Sequence, residues 1–147
     1  TIAYRFATAF GVSPRFRLDL LINDFSYKCI KDGYLVVYEK NYMRTFIHVS
    51  DIAEIHYLIL EKINKLNISK ILNCGYNKGS SVLEVAKEFR RQSKKKVEII
   101  HSKRRPNDLI KIIASNRSLN KFIKWKPKFN NLGKIVKSCI AWEKKIT

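Results

Sequence analysis

Acidic residues are scarce in this chain. Only 12 Asp plus Glu stand against 30 Lys plus Arg, a formal charge of +18 over 147 residues. A charge-balanced surface is thereby excluded, and counterion release would favour any contact with a polyanion. The lysines are nevertheless scattered over nearly every segment, with one short run at Lys94-Lys95-Lys96. A solvated basic surface is the leading explanation, and specific nucleic-acid binding is not expected. Long apolar runs are missing too. No stretch approaches the roughly 18 residues of a membrane-spanning helix, and no charged-then-apolar leader opens the chain, so no membrane partner is expected. The three cysteines, Cys29, Cys74 and Cys139, are far apart and show no CxxC or Cys/His spacing. That pattern excludes a sequence-evident zinc site and fits buried free thiols in a reducing cytoplasm.

Chemistry-bearing motifs are equally absent. No GxGxxG and no P-loop occurs, so no glycine turn is set to cradle a phosphate at a helix start. Gly75 and Gly79 precede a capped helix, but Gly75-Tyr76-Asn77-Lys78-Gly79 lacks the close glycine spacing that a pyrophosphate needs. There is no GxSxG and no HExxH. His48 and His56 read as packed or surface histidines. Tyr27 and Lys31 do form a Tyr-x-x-x-Lys pair, set aside because Phe25 and Cys29 turn the same helix inward. No residue of this chain is therefore expected to be catalytic, and none to bind a metal or a cofactor.

What is present is a core. Apolar residues make up 46% of the chain, with 8 Phe, 7 Tyr and 2 Trp, which argues against disorder. Ile2–Phe10 reads as a strand buried on both faces, ending at Gly11. Such a strand needs neighbours, and none precedes it, so an upstream part is expected. Leu18 to Lys31 reads as a helix closed by Gly33. Strands follow at 35–38 and 45–49, then a helix capped by Ser50 with the stripe Ile52, Ile55, Ile59, Ile63 and Leu66. A strand at 70–74 precedes a helix opened by the capping box Ser81/Glu84, with Val82, Val85, Ala86 and Phe89 inward. Val97–Ile100 is a strand, 101–108 a basic loop and Leu109 to Ala114 extended. Helices over 116–123 and 132–144 close the chain. Alternating strands and helices predict an α/β fold.

The remaining candidates are cations in loops. Arg15 and Arg17 follow the first strand, Arg44 precedes another, and Arg104 and Arg105 lie in the loop around Pro106. Ligands of α/β sheets gather beyond strand carboxyl ends, and guanidinium forks match phosphate oxygens. A surface salt bridge would account for any single one of them equally well.

These segments together resemble a known family. Arg44-Thr45-Phe46-Ile47-His48-Val49-Ser50-Asp51-Ile52-Ala53 is similar to the R-D-[FY]-I-H-V-x-D-[LV]-A segment of extended short-chain dehydrogenases/reductases, the nucleotide-sugar epimerases and dehydratases. Arg5-Phe6-Ala7-Thr8-Ala9-Phe10-Gly11 resembles their R-[FY]-F-N-V-[YA]-G strand. Leu72-Asn73-Cys74-Gly75 with Ser81-Val82-Leu83-Glu84-Val85, and Arg104-Arg105-Pro106-Asn107-Asp108 with Lys124-Trp125-Lys126-Pro127, resemble two further segments in order, the last most familiar from UDP-glucose 4-epimerases.

The resemblance implies the end of a Rossmann-type parallel sheet (residues 1–12) plus a smaller substrate-binding domain (mainly 13–147), with strand 70–75 a candidate to return to the Rossmann sheet. It implies a nucleoside-diphosphate sugar as substrate and a homodimer when complete. NAD and the catalytic Tyr and Lys would lie upstream, leaving this segment alone inactive. Arg44 and Arg105 match arginines that meet the diphosphate, Asp108 an acid touching the ribose or orienting the arginine, and Asn23 a helix start facing the nucleotide. Thr8 stands where the family has a substrate-contacting Asn, Thr45 where it has Asp, and Asn107 where it has Gly, which leaves the sugar and base open. The rival readings are a basic nucleic-acid-binding module, using aromatics such as Trp125 and Phe129, and a non-catalytic remnant that packs on another subunit.

Overall fold

A computed structural model describes residues 1–15, 17–65, 70–102 and 108–146. The first extended run splits in two. Strand β1 (Ile2–Phe6) pairs in parallel with β6 (Lys70–Cys74), and β2 (Thr8–Phe10) pairs in parallel with β5 (Phe46–His48). The switch falls at Ala7, whose N–H still donates to the Cys74 carbonyl at 2.8 Å. The expected burial on both faces is corrected here. Arg5 and Phe6, adjacent residues that point to opposite faces of β1, are both exposed.

Helix α1 (Leu21–Lys31) starts three residues later than its hydrophobic pattern suggested and buries Ile22, Phe25 and Cys29. Gly33 follows at φ 74°, a conformation glycine adopts without steric cost, and its N–H donates to the Lys28 carbonyl at 2.9 Å. Strand β3 (Tyr34–Val37) lies parallel to β8 (Glu98–His101). Helix α3 (Val82–Ser93) crosses between them, and its predicted capping box is formed. Ser81 Oγ accepts the Glu84 N–H at 3.1 Å, and Glu84 Oε2 accepts the Ser81 N–H at 2.7 Å. Helices α1, α3 and the last helix α5 (Leu132–Ile146) pack on one another, with α1 and α3 also packed on β3. Phe25 meets Phe89 edge to face in that layer.

A fourth, three-stranded sheet runs in the order β7 (Ser80–Ser81), β4 (Met43–Arg44), β9 (Lys111–Ile112). The extended stretch expected over Leu109 to Ala114 contracts to the two residues of β9. The penultimate helix contracts to the single turn α4 (Leu119–Phe122).

Helix α2 (Val49–Leu60) corrects the expected cap. The cap is His48, whose Nδ1 accepts the Ser50 N–H at 3.1 Å, and Ser50 is already helical. Ile55 and Ile59 are buried as the stripe required, Ile63 is exposed, and Leu66 lies outside the described residues. Asp51, in the first turn of α2, is 0% exposed. It accepts the Tyr76 hydroxyl at 2.5 Å and the backbone N–H groups of Lys128 and Phe129 at 3.0 and 3.2 Å. Tyr76 in turn accepts the His48 N–H at 2.8 Å, and the His48 ring stacks on Phe129 with centroids 3.7 Å apart. A buried carboxylate is tolerable only when its lone pairs are met in this way.

Gly75 sits where these sheets converge. A Cβ there would lie 2.7 Å from Thr45 Cγ2 and 2.8 Å from Ala114 Cβ. The three cysteines are free and buried, as expected.

Candidate functional site

A cavity of about 400 Å³ opens between the start of α1, the carboxyl end of β3 and the β4 strand. Its walls include Leu18, Leu21 and Phe25 on one side, Val36, Tyr38 and Glu39 on another, and Phe46 and Val82 beneath. Thr8, Arg44 and Asp108 line the same space, so three residues far apart in sequence are brought together. Asn23 is not among the lining residues. It is buried behind them, its Nδ2 donating to the Arg17 carbonyl at 3.1 Å, and its Oδ1 has no partner among the described residues. Arg105 lies outside the described residues.

Arg44 is held by several contacts. Its Nη2 meets Asp108 Oδ1 at 2.5 Å, and its Nη1 donates to the carbonyls of Leu109 at 2.8 Å and Met43 at 3.0 Å. Its guanidinium also lies 5.6 Å from the centre of the Tyr42 ring. The Arg44 side chain is 14% exposed, so this ion pair is screened less than the exposed pair Arg17–Asp19. Lys28, the other described cation of the wall, is paired to Asp24 at 2.9 Å, and that hydrogen bond holds its ammonium above the ordinary lysine pKa. Sequence reasoning missed Lys28, Asp24, Tyr38 and Glu39. Nothing in their local pattern separates them from surface residues of a helix and a strand end.

No group of three or more His, Cys, Asp or Glu able to hold a metal occurs among the described residues, and no described helix is long and apolar enough to cross a membrane. The chain's nearest approach to a phosphate-cradling glycine turn, Gly75 to Gly79 before α3, has no room. The space beside Gly79 is filled by Ile113 Cδ1 at 2.9 Å, and that beside Gly75 by Thr45 and Ala114. The aromatics that a nucleic-acid module would use are spent on packing. Trp125 is buried against Tyr76, and Phe129 is stacked on His48.

The parallel pairs, the covering helices and a cavity at a strand's carboxyl end define a Rossmann-type α/β chain. The UDP-Glc/GlcNAc 4-epimerase of Campylobacter jejuni superimposes with a TM-score of 0.81 at 28% identity, over 98% of this chain and 48% of that one. A UDP-glucose-4-epimerase of Stenotrophomonas maltophila with bound NAD and formylated UDP-arabinopyranose shares the fold at TM-score 0.86 and 21% identity, over 99% and 48%. No family model matches the sequence. The UDP-glucose 4-epimerase of Azospirillum brasilense is 35% identical over 104 residues, 71% of this chain and 30% of the relative. The chain is homologous to UDP-glucose 4-epimerases and matches a carboxyl-terminal portion of them, within the extended short-chain dehydrogenase/reductase fold. It spans less than a third of the length of that curated relative and about half of the solved chains.

Proposed function

We propose that this chain supplies the nucleotide-sugar-gripping part of an NAD-dependent epimerase or dehydratase of the UDP-glucose 4-epimerase type. The observation that carries the reading is Arg44. It is fixed by Asp108 and two carbonyls at the wall of a cavity that Thr8 also lines. A guanidinium held in place before a ligand arrives loses little freedom when it binds one. Asp108 then acts as the positioning acid, Thr8 offers one hydroxyl where an Asn would offer an amide, and Arg105 is assigned the second diphosphate contact from its sequence position. Anchoring the diphosphate supplies orientation remote from the reacting sugar carbon.

Gly75 and Gly79, the glycines that precede α3, are packed against side chains and offer no cradle for a pyrophosphate. The cofactor and the catalytic Tyr and Lys are assigned to residues outside this sequence, and the segment alone is assigned no turnover. The division into a Rossmann part (1–12, with strand 70–75 returning to it) and a substrate part is supported by the β1–β6 pairing. A homodimer, and the cytoplasm as location, belong to the same proposal.

Calorimetric titration of the chain with UDP-glucose, UDP and UMP tests this. Affinity should be similar for the first two and weaker for UMP. Arg44→Ala should weaken UDP by about 10- to 100-fold, the range of a lost charge-assisted hydrogen bond. Absence of binding by the wild-type chain, or equal affinity for Arg44→Ala, overturns the assignment.

A further inference from the structure

A second concavity, of about 650 Å³, lies on the opposite use of helix α3, between its carboxyl end and α5. Its cations are Arg91 and Lys94 from the end of α3 and Lys134, Lys137 and Lys144 from α5, over a floor that includes Ile140 and Ala141. No carboxylate lines it, whereas the nucleotide-sugar cavity carries Asp19, Asp24, Glu39 and Asp108. The positive charge of this chain is therefore unevenly displayed, and a groove of one sign focuses its field.

Arg91 is matched by Glu88 at 2.6 Å. The four lysines have no ion-pair partner among the described residues, and each is exposed. Lys94 closes α3 at φ 57°, a conformation that Gly or Asn takes more readily. Lys134, Lys137 and Lys144 advance along one face of α5. At about 1.5 Å rise per residue they span about 15 Å, the distance over which a nucleic-acid strand at about 3.4 Å per charge advances roughly four phosphates.

We propose that the α3–α5 groove binds the phosphodiester chain of a nucleic-acid strand without regard to its sequence. The ligand is a chain of phosphates, because the cations are strung out and not convergent on one anion. It is read without base stacking, because no aromatic side chain lines the groove. A membrane surface fits less well. Binding there needs exposed apolar anchors beside the charge, and none of the large exposed hydrophobic residues lines the groove.

Fluorescence anisotropy of a labelled, mixed-sequence, 20-nucleotide single strand, titrated with the whole chain across a salt series, tests the groove. With about four phosphates neutralised, log affinity should fall against log salt with a slope of about −3. Lys134→Glu with Lys137→Glu should weaken binding about tenfold or more and roughly halve that slope, with far-UV circular dichroism and UDP affinity unchanged. Lys121→Glu with Lys124→Glu makes the same change in net charge away from the groove and should leave most of the binding intact. Equal loss in the two double variants would overturn the proposal in favour of diffuse charge. So would binding of the groove variant that is lost on anionic phosphatidylserine vesicles but kept on the oligonucleotide.

Discussion

Replacing Asp51 tests the packing logic of this chain most directly. Its carboxylate is wholly buried and accepts three hydrogen bonds, from the Tyr76 hydroxyl and from the N–H groups of Lys128 and Phe129. In Asp51→Ala all three donors stay in place, and each loses a charged acceptor inside the core. A hydrogen bond to a charged group contributes about 1.5–3 kcal/mol, and an orphaned buried donor costs about 1–3 kcal/mol. These terms describe the same loss and do not add, so the expected destabilisation is about 3–5 kcal/mol. That is a large share of the roughly 5–15 kcal/mol that holds a domain folded.

Asp51→Asn keeps one carbonyl oxygen but turns its amide towards a donor, and should cost roughly half as much. Tyr76→Phe removes both the hydroxyl given to Asp51 and the acceptor taken by His48 N–H, at about 1–3 kcal/mol. Urea unfolding followed by tryptophan fluorescence is the assay, since Trp125 stacks on Tyr76. Because the two residues share a bond, the double variant should cost less than the sum of the singles by at least about 0.5 kcal/mol. A loss below about 1 kcal/mol for Asp51→Ala, or strict additivity with Tyr76→Phe, would falsify the reasoning.

Two further outcomes are expected. Gly75→Ala sets a methyl 2.7 Å from Thr45 Cγ2 and 2.8 Å from Ala114 Cβ, so urea unfolding should show a loss of about 1–3 kcal/mol, relieved in part by Thr45→Ser. Burial holds the His48 pKa below its ordinary value of 6.5, and its Nδ1 must stay unprotonated to cap α2. The unfolded chain therefore takes up this proton first. Stability should be flat above pH 6.5 and decline as pH falls from there through the lower folded value. The urea midpoint should drop between pH 7 and pH 5 in the native chain, and much less in His48→Asn, which keeps a capping side chain without the titration.

The parts of this fold that were legible in the sequence are those whose signal is local. Helix α3 announces itself because Ser81, Glu84 and the stripe through Phe89 sit within one short window. Helix α2 was legible as a helix, but its cap was not. A histidine acting through Nδ1 competes with the serine two residues on, and propensity favours the serine. The split at Ala7 was hidden because both halves are equally apolar; the change lies in which strand each half meets. Asp51 is a helix-start acid, and in sequence a solvated one and a buried one are the same. In the site, spacing alone could not join Arg44 to Asp108 across the intervening chain. Family likeness put both residues at the nucleotide site, and the structure supplied the ion pair between them.

That geometry sets the kind of recognition Arg44 can perform. A guanidinium has five N–H donors, and three are engaged by Met43, Leu109 and Asp108. Its charge is also offset by the carboxylate at its side. What it offers an incoming ligand is therefore less a free cation than a half-filled socket, with two donors in fixed directions. Discrimination there should follow the placement of acceptor atoms more than the number of negative charges. Its contribution to affinity should accordingly be among the least sensitive to salt of any contact this strongly basic chain makes.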